Sequence, residues 1–195
     1  MENEFHKRKL APRLNDFDYS TDGAYFITTC TQNRENFFGK IENEKIVLNN
    51  CAKIVREKWL WLSKQYPYLI LDEFVVMPNH FHGILIIDSI FCNDESGDFC
   101  RGGSRPTPTK TQPTPTKTTI LAKNKIKPLT KLIGAFKTVS SKEIHLTIRP
   151  DFRWQRSFHD HIIRDEDELN RIRDYIRLNP AHWTKDKNLH NNNDK

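Results

Sequence analysis

Two apolar runs, YLILDEFVV at residues 68–76 and HFHGILII at residues 80–87, meet across Pro78-Asn79. So short a connection joins strands only as an antiparallel hairpin, because a parallel pair needs a crossover. The hairpin commits the chain to a sheet, and the remaining patterns say how that sheet is completed. Residues 24–31 (AYFITTCT) alternate aromatic, β-branched and small side chains and read as a strand. Asn49 caps a helix whose apolar positions Cys51, Val55, Trp59, Leu62 and Tyr66 recur at three- and four-residue steps, and Pro67 ends it. Pro128 opens a second helix with Leu129, Leu132, Ile133, Phe136 and Val139 on one buried face. Residues 154–163 read as a further strand. A last helix runs from near Asp165 to about Leu178, where Pro180 stops it. Its Asp165 and Glu168 have the spacing of a capping box, and the acidic turn DEDE suits the positive end of the helix dipole.

The order is therefore strand, helix, strand, strand, helix, strand, helix. Its first six members fit a split βαβ unit twice over. The class is α+β: a ferredoxin-like or RRM-like antiparallel sheet with helices on one face and the other face open to a ligand. The seventh element, the C-terminal helix that carries Tyr175, lies outside that scheme.

With 195 residues the chain suits one domain. We expect a polar arm over residues 1–20, a single domain over 21–184 interrupted at about 89–127, and a polar tail over 185–195. The interruption repeats PTPTKT at 106–111 and 113–118. It has too little apolar area to offset the entropy of ordering, which predicts a disordered insertion. The formal net charge is +6, yet residues 101–127 hold seven Lys or Arg and no Asp or Glu. Outside them the chain is close to neutral, so the charge alone says little about an acidic partner. No run approaches the ~18 apolar residues of a membrane span, and MENEFHKRKL lacks the apolar stretch of a secretory leader. Cys30, Cys51, Cys92 and Cys100 form no C-x2-C pair. A reducing cytoplasm is the expectation.

Period-two geometry puts His80 and His82 on one face of their strand, with Phe81 opposite. One strand can offer a divalent metal two nitrogen ligands at that spacing. Gly83 removes a side chain from the Phe81 face and lets another element approach closely. On the last helix, Leu169, Ile172 and Ile176 form an apolar stripe that anchors it to the sheet. Tyr175 lies beside that stripe, and Asn179, four residues on, shares its face. Asn179 offers an amide oxygen, a hard ligand beside two imidazoles. Arg171, Arg173 and Arg177 lie near the tyrosine, where guanidinium groups suit a phosphodiester. A phenol with its ordinary pKa near 10 is a poor nucleophile at pH 7, and a cation that polarises the phosphate makes its attack feasible.

VVMPNHFHGILII, followed much later by FRWQRSFHDHIIRDEDELNRIRDYIRLNPAHW, resembles the single-tyrosine HUH transposases, and among them the REP-associated tyrosine transposases. The resemblance spans about residues 20–183. It implies that His80 and His82 are the His–hydrophobic–His ligands, that Tyr175 is the nucleophile and that Asn179 is a third ligand. It further implies Mg2+ or Mn2+, and cleavage of single-stranded DNA at hairpin-forming or palindromic ends. The products would be a 5′-phosphotyrosine and a free 3′-hydroxyl able to reverse the reaction on another strand. The working unit is expected to be a monomer or a homodimer.

His159 and His161 repeat the spacing of the first pair, but no partner tyrosine follows them at a matching distance. We assign His161 to structure or DNA contact and Trp154 to the core. Gln155 either reads a base or satisfies backbone. Lys131, Lys137 and Lys142 are candidates for a phosphate path, alongside the three arginines. The competing readings are a domesticated, non-catalytic nucleic-acid-binding module using the same sheet, and a metal phosphodiesterase that needs no tyrosine.

Overall fold

In the computed structural model, residues 18–92 and 126–183 are described, the side chains of 91 and 92 excepted. The strands are β1 (Gly23–Cys30), β2 (Gly39–Glu42), β3 (Lys45–Leu48), β4 (Leu69–Val76), β5 (His80–Ile87) and β6 (His159–Ile163). The α-helices are α1 (Asn50–Gln65), α2 (Leu129–Thr147) and α3 (Glu166–Leu178). The expected arm up to residue 17, the Thr/Pro segment over 93–125, Cys100 and the tail from 184 lie outside the described residues.

The main sheet has the order β4-β5-β1-β6, with every neighbouring pair antiparallel. β1 and β4 therefore run parallel with β5 between them, and β5 and β6 run parallel with β1 between them. These are two split βαβ units with α1 and α2 as their crossovers, the arrangement expected from the element order.

Side-chain alternation divides the sheet into two faces. Tyr25, Ile27, Phe81, Leu85 and Ile87 pack with Trp59 and Leu62 of α1 and with Leu132, Ile133 and Phe136 of α2 in the main core. Trp59 is the centre of this layer, with its ring centroid 4.7 Å from Phe81 and 5.4 Å from Phe136. Gly83 makes that approach possible: a Cβ there would lie 2.8 Å from both the Trp59 and the Phe81 rings. On the other face Ile84, Ile163, Leu169 and Ile176 form a second, smaller cluster, joined by Phe26, Val75, Ile86 and Ile172. This is where α3 sits. Part of the face expected to be open is thus covered by the helix that had no place in the six-element scheme.

The expected caps form. Asn49 Oδ1 accepts from the Ala52 N–H at 3.1 Å, and Asp165 Oδ1 accepts from the Glu168 N–H at 2.7 Å. The Glu168 carboxylate reaches the Arg164 N–H at 2.9 Å and His161 Nε2 at 2.8 Å, which ties β6 to the first turn of α3. This gives His161 a structural role, one of the two expected of it. Cys30 and Cys51 are both buried.

One expectation needs correction, and one element was not expected. The last strand begins at His159, and Trp154 makes only an isolated bridge to Thr31. Lys137 Nζ donates to the carbonyls of Gln155, Arg156 and Ser157, so those acceptors serve an ammonium and not a sheet ladder. The β2–β3 hairpin was not foreseen. Its turn residues Asn43 and Glu44 both have positive φ, 48° and 61°, the conformation of a primed hairpin turn without the usual glycine.

Candidate functional site

Strand alternation turns His80 and His82 toward the α3 face, while Phe81 and Gly83 face the main core. Both imidazoles are buried, His80 at 0% and His82 at 2% exposure, with ring centroids 4.5 Å apart. His80 Nδ1–H donates to Asn79 Oδ1 at 2.8 Å. His82 Nδ1 lies 2.8 Å from the Thr28 hydroxyl, across the β1–β5 ladder. A ring engaged through Nδ1–H keeps its lone pair on Nε2, the tautomer in which histidine ligates a metal. Burial pushes the His80 imidazole down to about 3, with the positive charge of Arg34 acting in the same direction, so this ring is neutral at pH 7.

α3 is held to the sheet by its apolar stripe and by two ion pairs. Asp72 and Glu73 sit at a bulge in β4, where the register with β5 shifts between Leu71 and Phe74. Arg173 Nη2 meets Asp72 at 2.5 Å and its Nε adds contacts of 3.1 and 3.2 Å. Arg177 Nη2 meets Glu73 at 2.6 Å. The Arg173 guanidinium holds the Asp72 carboxyl below its ordinary range.

Docked in this way, α3 brings Tyr175 Oη to 3.4 Å from His82 Nε2. Phe26 stacks on His82 at 5.3 Å and meets the tyrosine ring edge-on at 6.0 Å. Tyr175 remains 46% exposed. Asn179 follows one turn later as the helix C-cap and is 3% exposed. Its Oδ1 is buried with no hydrogen-bond partner among the described residues. Four residues further on, Trp183 stacks on His80, with centroids 6.0 Å apart and planes at 20°.

Of the residues singled out from the sequence, the structure gathers Tyr175 and the His pair directly. Asn179 falls between Tyr175 and Trp183, both of which meet the pair. Arg173 and Arg177 are drawn into the ion pairs with β4, and Arg171 is exposed on α3. Lys131 and Lys137 are on α2, which packs on the opposite face of the sheet. Lys131 is exposed, and burial pushes the Lys137 amine down to about 8. Thr28, Phe26, Asn79 and Trp183 were not singled out. For Asn79 and Trp183 a signal existed, since both lie inside the two motif segments.

The residues present fit a divalent cation. Two imidazoles and an amide oxygen are a donor set that Mg2+ or Mn2+ accepts. A buried amide oxygen without a donor otherwise costs about 1–3 kcal/mol. Among the described residues no group of three or more His, Cys, Asp or Glu forms an alternative site.

No family model matches the chain. An uncharacterised protein of Haemophilus influenzae (strain ATCC 51907 / DSM 11121 / KW20 / Rd) is 32% identical over 183 residues, covering 93% of this chain and 92% of that protein. Among solved structures, the REP-associated tyrosine transposase bound to a REP hairpin superposes with a TM-score of 0.50 at 17% identity. The match covers 85% of this chain and 70% of that one. The chain belongs to one family with the Haemophilus influenzae protein, and the resemblance its two motifs carry to the REP-associated tyrosine transposases is matched by its fold.

Proposed function

We propose that the protein is a transposase-like DNA strand transferase that cleaves single-stranded DNA at hairpin-forming ends through Tyr175. The observation that carries this reading is the 3.4 Å approach of the Tyr175 hydroxyl to His82 at a buried His pair. The solved relative in fold is bound to a REP hairpin, which supports a DNA substrate.

His80, His82 and Asn179 would hold Mg2+ or Mn2+. When bound, such a cation polarises the phosphate and stabilises the charge that develops during attack. Tyr175 Oη forms a bond to phosphorus while the bond from phosphorus to the 3′-oxygen breaks. The half-exposed phenol passes its proton to water, and the departing 3′-oxygen takes one up. The 5′-phosphate then stays on the tyrosine. No phosphoester bond energy is lost to hydrolysis, so a 3′-hydroxyl from another strand can reverse the step. Phe26 and the Asp72–Arg173 pair hold the nucleophile in place.

Labelled hairpin-bearing single-stranded DNA from around the gene, incubated with Mn2+, should yield a covalent protein–DNA band on a denaturing gel. Tyr175→Phe should abolish that band while leaving the melting temperature within about 2 °C. An adduct that persists in Tyr175→Phe would mean a different nucleophile. Salt-sensitive binding with no adduct in the unaltered chain would mean a non-catalytic binding module.

A further inference from the structure

A groove enclosing about 490 Å³ opens between the turn after β1 and the segment leading to β6. It is lined by Gln32, Asn33, Arg34, Trp154, Gln155 and Arg156. Its two walls are tied together and to the rest of the fold. The Gln32 N–H donates to the Arg153 carbonyl and the Gln155 N–H to the Cys30 carbonyl, each at 2.8 Å. Trp154 Nε1 donates to Ser140 Oγ at 3.0 Å. Lys137 Nζ holds the carbonyls of Gln155, Arg156 and Ser157 at 2.5, 3.1 and 3.3 Å. On the facing wall Asn33 and Arg34 are both left-handed, with φ of 55° and 56°, an uncommon conformation for such residues.

One side chain joins the groove to the His pair. Asn79 Nδ2 donates to the Arg34 carbonyl at 3.1 Å, and Asn79 Oδ1 accepts from His80 Nδ1 at 2.8 Å. The groove therefore adjoins the centre at which the phosphate would react.

Its lining has three carboxamides, two guanidinium groups and no carboxylate. A carboxamide carries a donor and an acceptor side by side, matching the paired groups on the edge of an unpaired base. A guanidinium suits a phosphate. Gln155 is the informative residue. Its N–H is given to Cys30 and its carbonyl to Lys137, so its exposed side chain is not needed to satisfy the backbone around it.

We propose that this groove is a nucleotide subsite: it takes an unpaired nucleotide of the single-stranded DNA adjoining the cleavage site, with Gln155 reading the base edge and Arg156 and Arg34 facing the phosphate. The inference rests on the DNA reading above and adds to it where base selectivity resides.

The test separates the two. Full-length Tyr175→Phe, in chelator, is used to select from a random single-stranded DNA pool, and the bound sequences are read out. The parent shows a base preference, and adding Gln155→Leu erases it at one position, a change of roughly 5- to 150-fold in relative affinity. Adding Arg156→Ala weakens all sequences alike and reduces the slope of log K against log salt by about 0.7. Gln155→Ala is the second variant should Leu disturb the fold, which circular dichroism reports. No preference in the parent, or an unchanged profile in both Gln155 variants, overturns the subsite. The adduct assay with Tyr175 intact decides the other question. An adduct with an unchanged profile sinks the subsite alone, whereas an erased profile with no adduct supports the subsite and sinks the phosphotyrosine chemistry.

Discussion

At Asn179 an amide oxygen is buried with no donor among the described residues, an arrangement that folding by itself disfavours. Such a position trades stability for binding. Asn179→Leu, similar in volume, removes the unsatisfied oxygen along with the proposed ligand. In chelator its urea midpoint should equal or exceed that of the unaltered chain, while adduct formation with Mn2+ should fall at least tenfold. A lower midpoint together with full adduct yield would show that Asn179 is structural and not a ligand. His80 is the counterpart. Its burial disfavours the imidazolium, and Asn79 engages its Nδ1, so the ring is presented neutral and with a set tautomer. The sequence disclosed that His80 and His82 share a face, since strand period alone decides that. It did not disclose Thr28 and Asn79 as their hydrogen-bond partners, because any nearby hydroxyl or amide would have served.

Among the elements, α3 is the one whose placement makes the site. Its stripe of Leu169, Ile172 and Ile176 was legible from helical spacing, and so was its cap at Asp165. What holds it in register is less visible: the bulge in β4 that points Asp72 and Glu73 at Arg173 and Arg177. Two carboxylates inside a strand pattern are a signal of irregularity, yet the arginines read equally well as phosphate ligands. The Asp72–Arg173 contact is partly buried and charge-assisted, so Asp72→Asn should cost about 1–2 kcal/mol at pH 7. The sign with pH follows from the direction of the shift. Arg173 lowers the folded carboxyl below the ordinary value near 3.9. The stabilisation is therefore full above about pH 4 and is lost as pH falls through the lower, folded value. Urea midpoints from pH 7 to pH 2.5 should decline less steeply in Asp72→Asn. Parallel curves would show that the pair contributes nothing. The same variant should lower adduct yield without loss of DNA binding, because it loosens the tyrosine helix and leaves the groove intact.

Across the whole molecule, net charge is a poor guide to where DNA would sit. Residues 101–127 carry seven cations and no acid, while Arg173 and Arg177 of α3 are largely neutralised by β4. Deleting residues 101–127 should flatten the salt dependence of binding, with up to about 0.7 lost from the slope for each phosphate contact given up. Adduct formation should survive. Loss of cleavage from a chain that still melts cooperatively would place that segment in the reaction itself. Among the described residues no helix is long and apolar enough to cross a membrane.

The sheet, its three helices, their caps and the pairing of His80 with His82 were already present in the sequence. Each rests on short-range periodicity, and the 2.0- and 3.6-residue repeats act within a few residues of chain. The β2–β3 hairpin escaped because its turn uses Asn43-Glu44 where a glycine would have announced it. The last strand was extended too far because a lysine on α2, remote in sequence, claims the carbonyls of residues 155–157. Contacts of that long-range kind were decided only by the tertiary structure. Arg173 and Asp72 are 101 positions apart, and Tyr175 and His82 are 93 apart. The groove between residues 32–34 and 154–156 exists only where two distant segments meet. An arginine, a lysine or an amide has many chemically equal partners along a chain, and packing selects among them.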